Sequence, residues 1–371
     1  MKIANIANMD LCSIGTSLSR GLRELGDDAR TIMLTRNPQE TEIDLLWSRD
    51  EALARDVLKE SDVLHVHSPI VGFTLSFRRP PFDVAALARK RRLVFHYHGS
   101  EARRLHPSVK GLIQKYRIPV FVTVPDLLRY TPGAEWLPLP VPSGDPKYGP
   151  ANPPSSPIRV CHAPTAREIK KTDAFLEAMR RLQKSYDVEP VLIEGRPYAE
   201  CLAIKRGCHI NFDNIGYGSY ALASIESMLM EQPSLVYLDG SCRTAVSEAS
   251  DRVGIECPLL QVGDPTQPSH AELNSIRAGK AAATYTEEDV DSIYRQLEPL
   301  IVDDGLRTSV GRKSRQWAQA VHDERRVAEM ASLRYGALAE FGGFSRLDRA
   351  SQSFWWAEQT VRFRVGRRLA K

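Results

Sequence analysis

One stretch, residues 208–239, restricts the possible folds of this chain more than any other, and it reads CHINFDNIGYGSYALASIESMLMEQPSLVYLD. It starts with a short apolar run at 209–212, typical of a buried strand, and continues into a turn that contains glycine and serine. A helical pattern at about 220–231 and a second apolar run at 234–238 follow. This order predicts one strand–loop–helix–strand unit of a parallel sheet.

The small residues Gly218 and Ser219 stand where the predicted helix begins. Backbone N–H groups at a helix start are unpaired and the helix dipole is positive there, so the turn is suited to bind a phosphate. Glu226 lies further into the helix, where its carboxylate could accept hydrogen bonds from the paired hydroxyls of a ribose. Many doubly wound domains have such glycines without any ligand, so this pattern alone leaves both interpretations open.

Short apolar runs and helical patterns alternate through the rest of the chain. Runs of four or five apolar residues separated by helices favour parallel strands with crossover connections. In the first half we predict strands at 3–7, 31–34, 63–67, 93–97 and 120–124, and helices at 15–25, 50–59 and 83–91. In the second half, before the stretch described above, we predict strands at 158–162 and 190–193 and helices at 172–184 and 198–205.

The chain has 371 residues, too many for one ordinary core, and a stretch rich in Pro, Gly and Ser divides the pattern. We predict an N-terminal Rossmann-like domain at 1–142, a linker at 143–157, a C-terminal Rossmann-like domain at 158–343 and a basic, aromatic tail at 344–371. Ligands of open α/β sheets bind beyond the carboxyl ends of the strands. The predicted fold class is therefore α/β, with two Rossmann-like domains facing a cleft.

Composition and charge exclude several classes of protein. Apolar residues make up 42% of the chain, and none of their runs is long enough to span a bilayer. The net charge of +4 equals that of residues 351–371, which carry five basic residues and one acidic residue, so the chain is not generally basic and we expect no nucleic-acid partner. The six cysteines lack paired close spacing, and the chain starts with an apolar strand rather than a secretion signal. We therefore expect a cytoplasmic protein with reduced thiols.

Several motifs resemble the retaining glycosyltransferases of the GT-B fold, in particular family 4. The segment CHAPTAREIKKT is similar to the family's H-A-P-T-x-R-x-x-K-G-T variant, and residues 213–233 are similar to its pattern D-Q-x-x-x-G-x-Y-G-x-x-x-x-E-A-M-x-x-G-x-P-V. DVLHVHSP and VFHYHGSEAR resemble two strand ends of the family's first domain, and residues 311–335 resemble its late helices. The resemblance runs from the first strand to about residue 335.

The resemblance implies a role for individual residues. Arg167 and Lys170 match basic residues that hold the donor diphosphate, and Glu226 matches the glutamate that binds the nucleotide ribose. Gly15 lies in the loop that matches the family's first glycine loop, close to donor or acceptor. His98 matches a histidine beside the reacting sugar and is our candidate catalytic residue.

The sequence departs from the family pattern where a glutamate usually contacts the transferred sugar, because Gly218 stands at that position. Backbone N–H groups or Asp213 would then take over that contact, and Ser219 would hold the diphosphate at the helix start. The glycines that the family has at two further positions are replaced by Lys171 and Gln232.

From these motifs we predict a hexosyltransferase type of glycosyltransferase that moves a sugar from a nucleotide-diphosphate sugar to an acceptor hydroxyl. The resemblance implies retention of configuration, no metal and no cofactor, a glycan or lipid-linked acceptor, and a setting in cell-envelope polysaccharide or glycolipid synthesis. A catalytically inactive protein that binds a nucleotide or a glycan is one alternative. The other is a metal-dependent hydrolase, because two H-x-H pairs, His65 with His67 and His96 with His98, could face one site.

The tail, SQSFWWAEQTVRFRVGRRLAK, mixes arginines with aromatic and aliphatic residues. Residues 354–360 favour a helix that packs back on the protein, and the remainder could touch an anionic membrane surface. We therefore expect the tail to make peripheral contact with the inner face of the membrane.

Overall fold

The computed structural model describes residues 1–36, 42–71, 74–75, 80–103, 105, 107–131, 133–216, 218–263 and 285–350. The predicted helix at 354–360 and the predicted membrane contact fall in residues 351–371, outside the described residues. Among the described residues, the longest helices are too short or too polar to cross a membrane.

Each predicted strand is present, with bounds within a few residues of those predicted. The strands are β1 Lys2–Ala7, β2 Asp28–Met33, β3 Leu45–Leu46, β4 Val63–His67, β5 Pro69–Val71, β6 Thr74–Leu75, β7 Arg92–Tyr97, β8 Val120–Val122, β9 Glu135–Trp136, β10 Ile158–His162, β11 Val188–Leu192, β12 Ile210–Asn214, β13 Ser234–Val236 and β14 Leu260–Gln261. The short strands β3, β5, β6, β9 and β14 were not predicted.

The helices cover the segments in which apolar residues recur every three to four positions. They are α1 Ile14–Glu24, α2 Trp47–Glu60, α3 Val84–Ala88, α4 Ser100–Arg103, α5 Pro107–Tyr116, α6 Arg167–Lys170, α7 Thr172–Leu182, α8 Tyr198–Arg206, α9 Leu222–Leu229, α10 Gly240–Val253, α11 Glu287–Val302, α12 Asp304–His322 and α13 Glu324–Gly336.

The chain forms two compact units. The first unit contains Met1–Thr123, Leu127–Val141 and the described residues from Glu324 onwards, and the second contains Val124–Asp126 and Pro142–Asp323. Each unit has its own parallel sheet and its own apolar core. The predicted α/β fold class with two Rossmann-like domains is confirmed.

The first unit has a parallel sheet in the order β3-β2-β1-β4-β7-β8-β9, with a separate antiparallel hairpin of β5 and β6. Without the hairpin, this is the Rossmann order, in which the sheet grows in both directions from β1. The direction of growth switches between β1 and β4, which are hydrogen-bonded neighbours. Loops after these two strands therefore lie at the first unit's switch point.

The second unit has a parallel sheet in the order β11-β10-β12-β13-β14. Its switch point lies between β10 and β12, which pair directly. Buried side chains of α7, α11 and the central strands form its core, where Phe175 and Phe212 stack with ring centroids 4.9 Å apart. Open α/β sheets bind ligands beyond the carboxyl ends of the strands at such a point. Here that place is formed by the loops that lead into α6 and α9.

The observed boundaries differ from the predicted ones in two places. Residues 324–343, which we assigned to the C-terminal domain, belong to the first unit because α13 packs on α1. A Cβ at Gly21 would collide with the backbone carbonyl of Glu324, so glycine permits this close approach. The predicted linker at 143–157 belongs to the second unit, where Tyr148 is buried and bonds the hydroxyl of Tyr198.

Candidate functional site

Two charged side chains meet at the switch point of the second sheet. Lys170 ends α6, the short helix after β10, and Asp213 lies near the end of β12. Because β10 and β12 are neighbours, the Lys170 ammonium reaches the Asp213 carboxylate at 2.6 Å. The remaining carboxylate oxygen accepts from the Ser224 hydroxyl at 2.7 Å and from the Ala221 N–H at 3.2 Å. Asp213 thus places its charge at the positive end of α9.

The environment of Asp213 keeps it ionised. Burial acts to raise its pKa, but the Lys170 ammonium and the hydrogen bonds from Ser224 and Ala221 outweigh burial, so the pKa falls to about 2. Asp213 is completely enclosed, whereas 12% of the Lys170 side chain is exposed. An anionic ligand would therefore reach this pair from the Lys170 side.

The turn before α9 presents unpaired backbone donors. Gly218 has φ of +85°, and its carbonyl accepts from the Asp239 N–H at 3.0 Å. The N–H groups of Gly218, Ser219 and Tyr220 have no acceptor among the described residues. Buried backbone N–H groups are nearly always paired with protein, water or ligand. Backbone N–H groups that precede a helix can bind phosphate oxygens, so these three are candidates for that role.

Arg167 begins α6 and makes a two-point ion pair with Glu194. Its Nε and Nη2 donate to the two carboxylate oxygens at 2.8 and 2.6 Å. Nearly half of the Arg167 side chain is exposed, 47%. The guanidinium is therefore free to turn towards a diphosphate at small cost, because exposed ion pairs contribute little stability.

Glu226 lies on α9 and is almost fully buried. Its Oε2 accepts from Lys205 Nζ at 2.6 Å, and its Oε1 accepts from the Tyr198 hydroxyl at 2.6 Å. Tyr198 in turn accepts from Tyr148, at 2.9 Å, and the Lys205 ammonium also reaches the Ala223 carbonyl at 3.2 Å. The carboxylate predicted to bind a ribose is thus held by internal partners in the second unit.

Two of the residues that depart from the family pattern, Lys171 and Gln232, have local roles. Lys171 has φ of +52° and ψ of +50°, the left-handed conformation in which glycine costs nothing. Its ammonium pairs with Asp289 at 3.2 Å. The Gln232 side chain is buried and donates to the carbonyls of Lys205 and Cys208, both at 2.6 Å, at the end of α8.

Gly15 lies in α1, after the carboxyl end of β1. Its N–H donates to Asp10 Oδ1 at 2.7 Å, and a Cβ at this position would stand 2.9 Å from Thr31 Cγ2. Asp10 also accepts from the N–H of Thr16 at 2.8 Å and from its hydroxyl at 2.6 Å. Glycine at position 15 therefore permits α1 to approach β2 and completes the turn around Asp10.

His98 follows β7 in the first unit and is half-buried. Its Nδ1 lies 2.6 Å from Thr123 Oγ1, and its Nε2 lies 2.8 Å from His67 Nδ1. Burial lowers the pKa of His98 to about 3, and the neighbouring His65 acts in the same direction. His98 is therefore a neutral imidazole whose two nitrogens already have partners within the first unit.

The histidines of the two H-x-H pairs come together, as that alternative predicted. His65, His67 and His96 are buried, and each offers a nitrogen within 4.8 Å of the others. Burial lowers the pKa of all three well below the ordinary value, and nearby histidines add to the effect. The part of the chain that the structure describes places no carboxylate in this group.

Sequence reasoning missed Lys205, Tyr198 and Tyr148. One signal was present for Lys205, which follows the buried Leu202 by three residues on the inner face of α8. A lysine at an apolar position of a helix indicates a buried partner. The partner itself could not be read from the sequence, because Glu226 is on a different helix.

Comparison with known proteins finds similarity in structure alone. No family model matches the sequence, and no curated protein matches it. The structure is similar to sucrose-phosphate synthase from Thermosynechococcus elongatus (TM-score 0.54, 12% identity) and to an alpha-glucosyltransferase in complex with UDP (TM-score 0.56, 8% identity). It is also similar to a glycosyltransferase from Rickettsia africae ESF-5 (TM-score 0.51, 11% identity). Each match covers 90% of this chain and 98%, 99% and 97% of the respective solved chain.

The fold is that of the GT-B glycosyltransferases. The likeness covers nearly the whole length of both chains in each pair, so it includes both Rossmann-like units. At these identities it establishes the fold, and the activity has to be argued from the residues of the site.

Proposed function

We propose that this protein is a glycosyltransferase that moves a sugar from a nucleotide-diphosphate sugar to an acceptor hydroxyl. The observation that carries the proposal is the turn before α9, where three consecutive N–H groups have no acceptor among the described residues, at the switch point of the second sheet. Arg167 and Lys170 are the first and last residues of α6, the short helix after the neighbouring strand β10. Backbone donors with two nearby cations fit a diphosphate better than a neutral ligand.

The chemistry that this arrangement supports is stabilisation of a leaving group. When the bond between sugar and diphosphate breaks, negative charge develops on the diphosphate oxygen. The fixed N–H dipoles of the turn, the positive end of α9 and the cations of Lys170 and Arg167 favour that charge. Catalysis follows because the charge is greater in the transition state than in the bound substrate.

Asp213 limits the affinity of the proposed site for the diphosphate. Its carboxylate already offsets the Lys170 ammonium at 2.6 Å, so a diphosphate that approaches Lys170 meets a partly neutralised cation. Arg167 has the more exposed pair and supplies the more available charge. We therefore assign the larger share of diphosphate affinity to Arg167 and to the backbone donors.

We propose that Glu226 binds the ribose and His98 the transferred sugar, although both side chains already have internal partners. An ionised carboxylate has about four lone-pair sites, and two of those on Glu226 are used by Lys205 and Tyr198. His98 can bond a sugar hydroxyl only after Thr123 or His67 releases one of its nitrogens. His98 thus requires a rearrangement within the first unit when a ligand binds. Glu226 has acceptor sites left, but it is almost fully buried, so the second unit would have to open before a ribose could reach them.

Retention at the anomeric carbon, a transfer step without a metal, and a glycan or lipid-linked acceptor in cell-envelope synthesis complete the proposal. They rest on the sequence resemblance to family 4. A solved neighbour of the same fold is in complex with UDP, which supports a nucleoside diphosphate as the donor's leaving group. Localisation in the cytoplasm, with contact at the inner membrane face through residues 351–371, is proposed from the sequence.

A thermal-shift panel of UDP, GDP, ADP and CMP and their sugar conjugates tests the proposal. At a hundredfold excess over Kd a ligand adds about 2.7 kcal/mol of stability, which for a domain of this size is a rise of roughly 5–10 °C. We expect one nucleoside diphosphate to stabilise the wild type. Arg167→Ala should lose most of that shift.

Arg180→Ala is the matched control, because Arg180 is also an exposed helical arginine with a two-point pair, to Glu177 at 2.8 and 2.7 Å. The control should respond to the nucleotide as the wild type does. An equal rise in melting temperature in Arg167→Ala and Arg180→Ala would contradict the proposed diphosphate site.

A nucleotide-binding or glycan-binding protein without turnover is the second candidate. The observation in its favour is that His98 and Glu226 are both engaged by internal partners. A nucleotide sugar that stabilises the protein and is recovered intact after long incubation with acceptors would support this candidate over the transferase.

A further inference from the structure

Two buried imidazole nitrogens have no hydrogen-bond partner among the described residues of the first unit. They are His65 Nε2 and His96 Nδ1, and both residues are 0% exposed. His67, on the same strand as His65 and directly opposite His96, completes a group of three whose nitrogens lie within 4.8 Å of one another. A buried polar atom without a partner is costly, so this group indicates a ligand.

The surrounding hydrogen bonds determine which nitrogens carry lone pairs. Asn5 uses its NH2 group to donate to Ser19, at 2.9 Å, so its oxygen accepts from His67 Nε2 at 3.1 Å. A neutral His67 then has its lone pair on Nδ1 and accepts from His98 Nε2. His98 in turn accepts from the Thr123 hydroxyl through Nδ1.

The same chain of bonds reaches His96. Because the Thr123 hydroxyl proton is given to His98, its oxygen accepts from His96 Nε2 at 3.0 Å. The lone pair of His96 is therefore on Nδ1, the atom without a partner. His96 thus turns a bare nitrogen, rather than an N–H, away from these bonds. The lone pair of His67 is also on Nδ1, where it accepts the bond from His98.

We propose that His65, His67 and His96 bind one transition-metal ion of the zinc type. Three neutral imidazoles form the donor set of a known class of zinc site, and imidazole also suits copper, nickel and cobalt. Zn–N bonds of about 2.0–2.1 Å bring ligand nitrogens to roughly 3.4 Å from one another in a tetrahedral site. The His65 ring now stacks on those of His67 and His96, with angles of 14° and 27° between the ring planes. The rings must therefore rotate about χ2, a torsion with a broad distribution, for their in-plane lone pairs to converge on one ion.

Tyr335 supplies the outer support that metal-bound histidines usually have. Its hydroxyl lies 2.5 Å from His65 Nδ1, and it comes from α13, which packs on α1 in the first unit. With the proton on Nδ1 donated to Tyr335, the lone pair of His65 is on the unpartnered Nε2. Such partners fix the tautomer and orientation of the ligand.

The ion would join strands β4 and β7 directly beneath His98. His67 would give its Nδ1 lone pair to the metal, and His98 Nε2 would be released from the bond that now occupies it. The metal therefore links the core of the first unit to the histidine proposed to contact the sugar. It takes no part in holding the diphosphate, whose proposed ligands are all in the second unit.

The test uses the full chain, stripped with a chelator, reloaded with Zn²⁺ and freed of excess metal by gel filtration. Elemental analysis should find one zinc per chain in the wild type and none retained in His65→Gln or His96→Gln. His162→Gln is the matched control, because His162 is a buried strand histidine whose nitrogens both have partners, Phe212 O and Thr172 Oγ1, at 2.9 Å. The control should retain its zinc.

Cobalt loading of the wild type makes the test independent of how well the variants fold. Co²⁺ at this site should give the visible bands of a tetrahedral, nitrogen-ligated ion, without the thiolate charge-transfer band that the free cysteines would produce. Tyr335→Phe should weaken zinc affinity by about 10–100-fold. Wild type without stoichiometric metal, a thiolate band, or unchanged zinc in His96→Gln would each overturn the proposal.

Discussion

Replacing Glu226 by alanine removes the partner of an ammonium group that lies inside the second unit. The side chains of Lys205 and Glu226 are 1% and 4% exposed, and their charged atoms are 2.6 Å apart. Burial acts to lower the pKa of Lys205, but the Glu226 carboxylate outweighs it and raises that pKa. In Glu226→Ala the Lys205 ammonium would still donate to the Ala223 carbonyl, but it would have no counter-ion from position 226.

The magnitude follows from the burial of the pair. Removing one partner of a buried ion pair costs about 3–5 kcal/mol, because the other charge is left in a medium of low dielectric. The Tyr198 hydroxyl also loses its acceptor, which belongs to the same network. We therefore expect Glu226→Ala to lower the free energy of unfolding by at least about 3 kcal/mol.

Urea denaturation measures this loss, and a double variant separates its cause. In Lys205→Met/Glu226→Met both charges are replaced by apolar groups of similar volume, and such replacements are often neutral or stabilising. The double variant should recover most of the lost stability. A loss below about 1 kcal/mol for Glu226→Ala, the value of an exposed pair, would refute the argument. Nucleotide binding should therefore be compared in Glu226→Gln, which keeps an acceptor for Tyr198.

Two further outcomes follow from the structure. Because the pKa of Asp213 is lowered from 3.8 to about 2, its ionised form should contribute about 2–3 kcal/mol of stability, present above about pH 4 and lost as the pH falls towards about 2. The urea midpoint measured against pH should show this slope, and Asp213→Asn should flatten it. Gly21→Ala should cost about 1–3 kcal/mol because its Cβ meets the Glu324 carbonyl. Gly111→Ala, in a helix where nothing lies within 4 Å, should add about 0.4–1 kcal/mol. Equal melting temperatures for the two alanine variants would contradict the packing argument.

The sequence was sufficient to predict most of the fold because buried parallel strands are continuous apolar runs. The strands at 63–67, 158–162 and 234–236 have bounds close to those predicted. Strands β3, β6, β9 and β14 were missed because each has two residues, too few to form a pattern. Helix α13 was assigned to the wrong unit because an apolar helical face does not identify the sheet that it covers.

The sequence was sufficient to predict which loops carry the candidate residues. Lys170 and Asp213 follow strands that are neighbours, so the ends of β10 and β12 bring these two residues together. Arg167 pairs with Glu194 instead. The internal partners of Glu226 and His98 were not predictable, because they depend on how side chains of distant segments pack. The roles of these residues towards a ligand remain proposals.

The most direct test of the central claim is turnover. The nucleotide sugar that stabilises the protein is incubated with a panel of hydroxyl acceptors, and the product is followed by mass spectrometry and by NMR of its anomeric proton. The proposal predicts release of the nucleoside diphosphate together with a glycosylated acceptor of retained configuration, at a rate that falls in Arg167→Ala and is unchanged in Arg180→Ala. A donor recovered intact with every acceptor, although it binds, would contradict the transferase function.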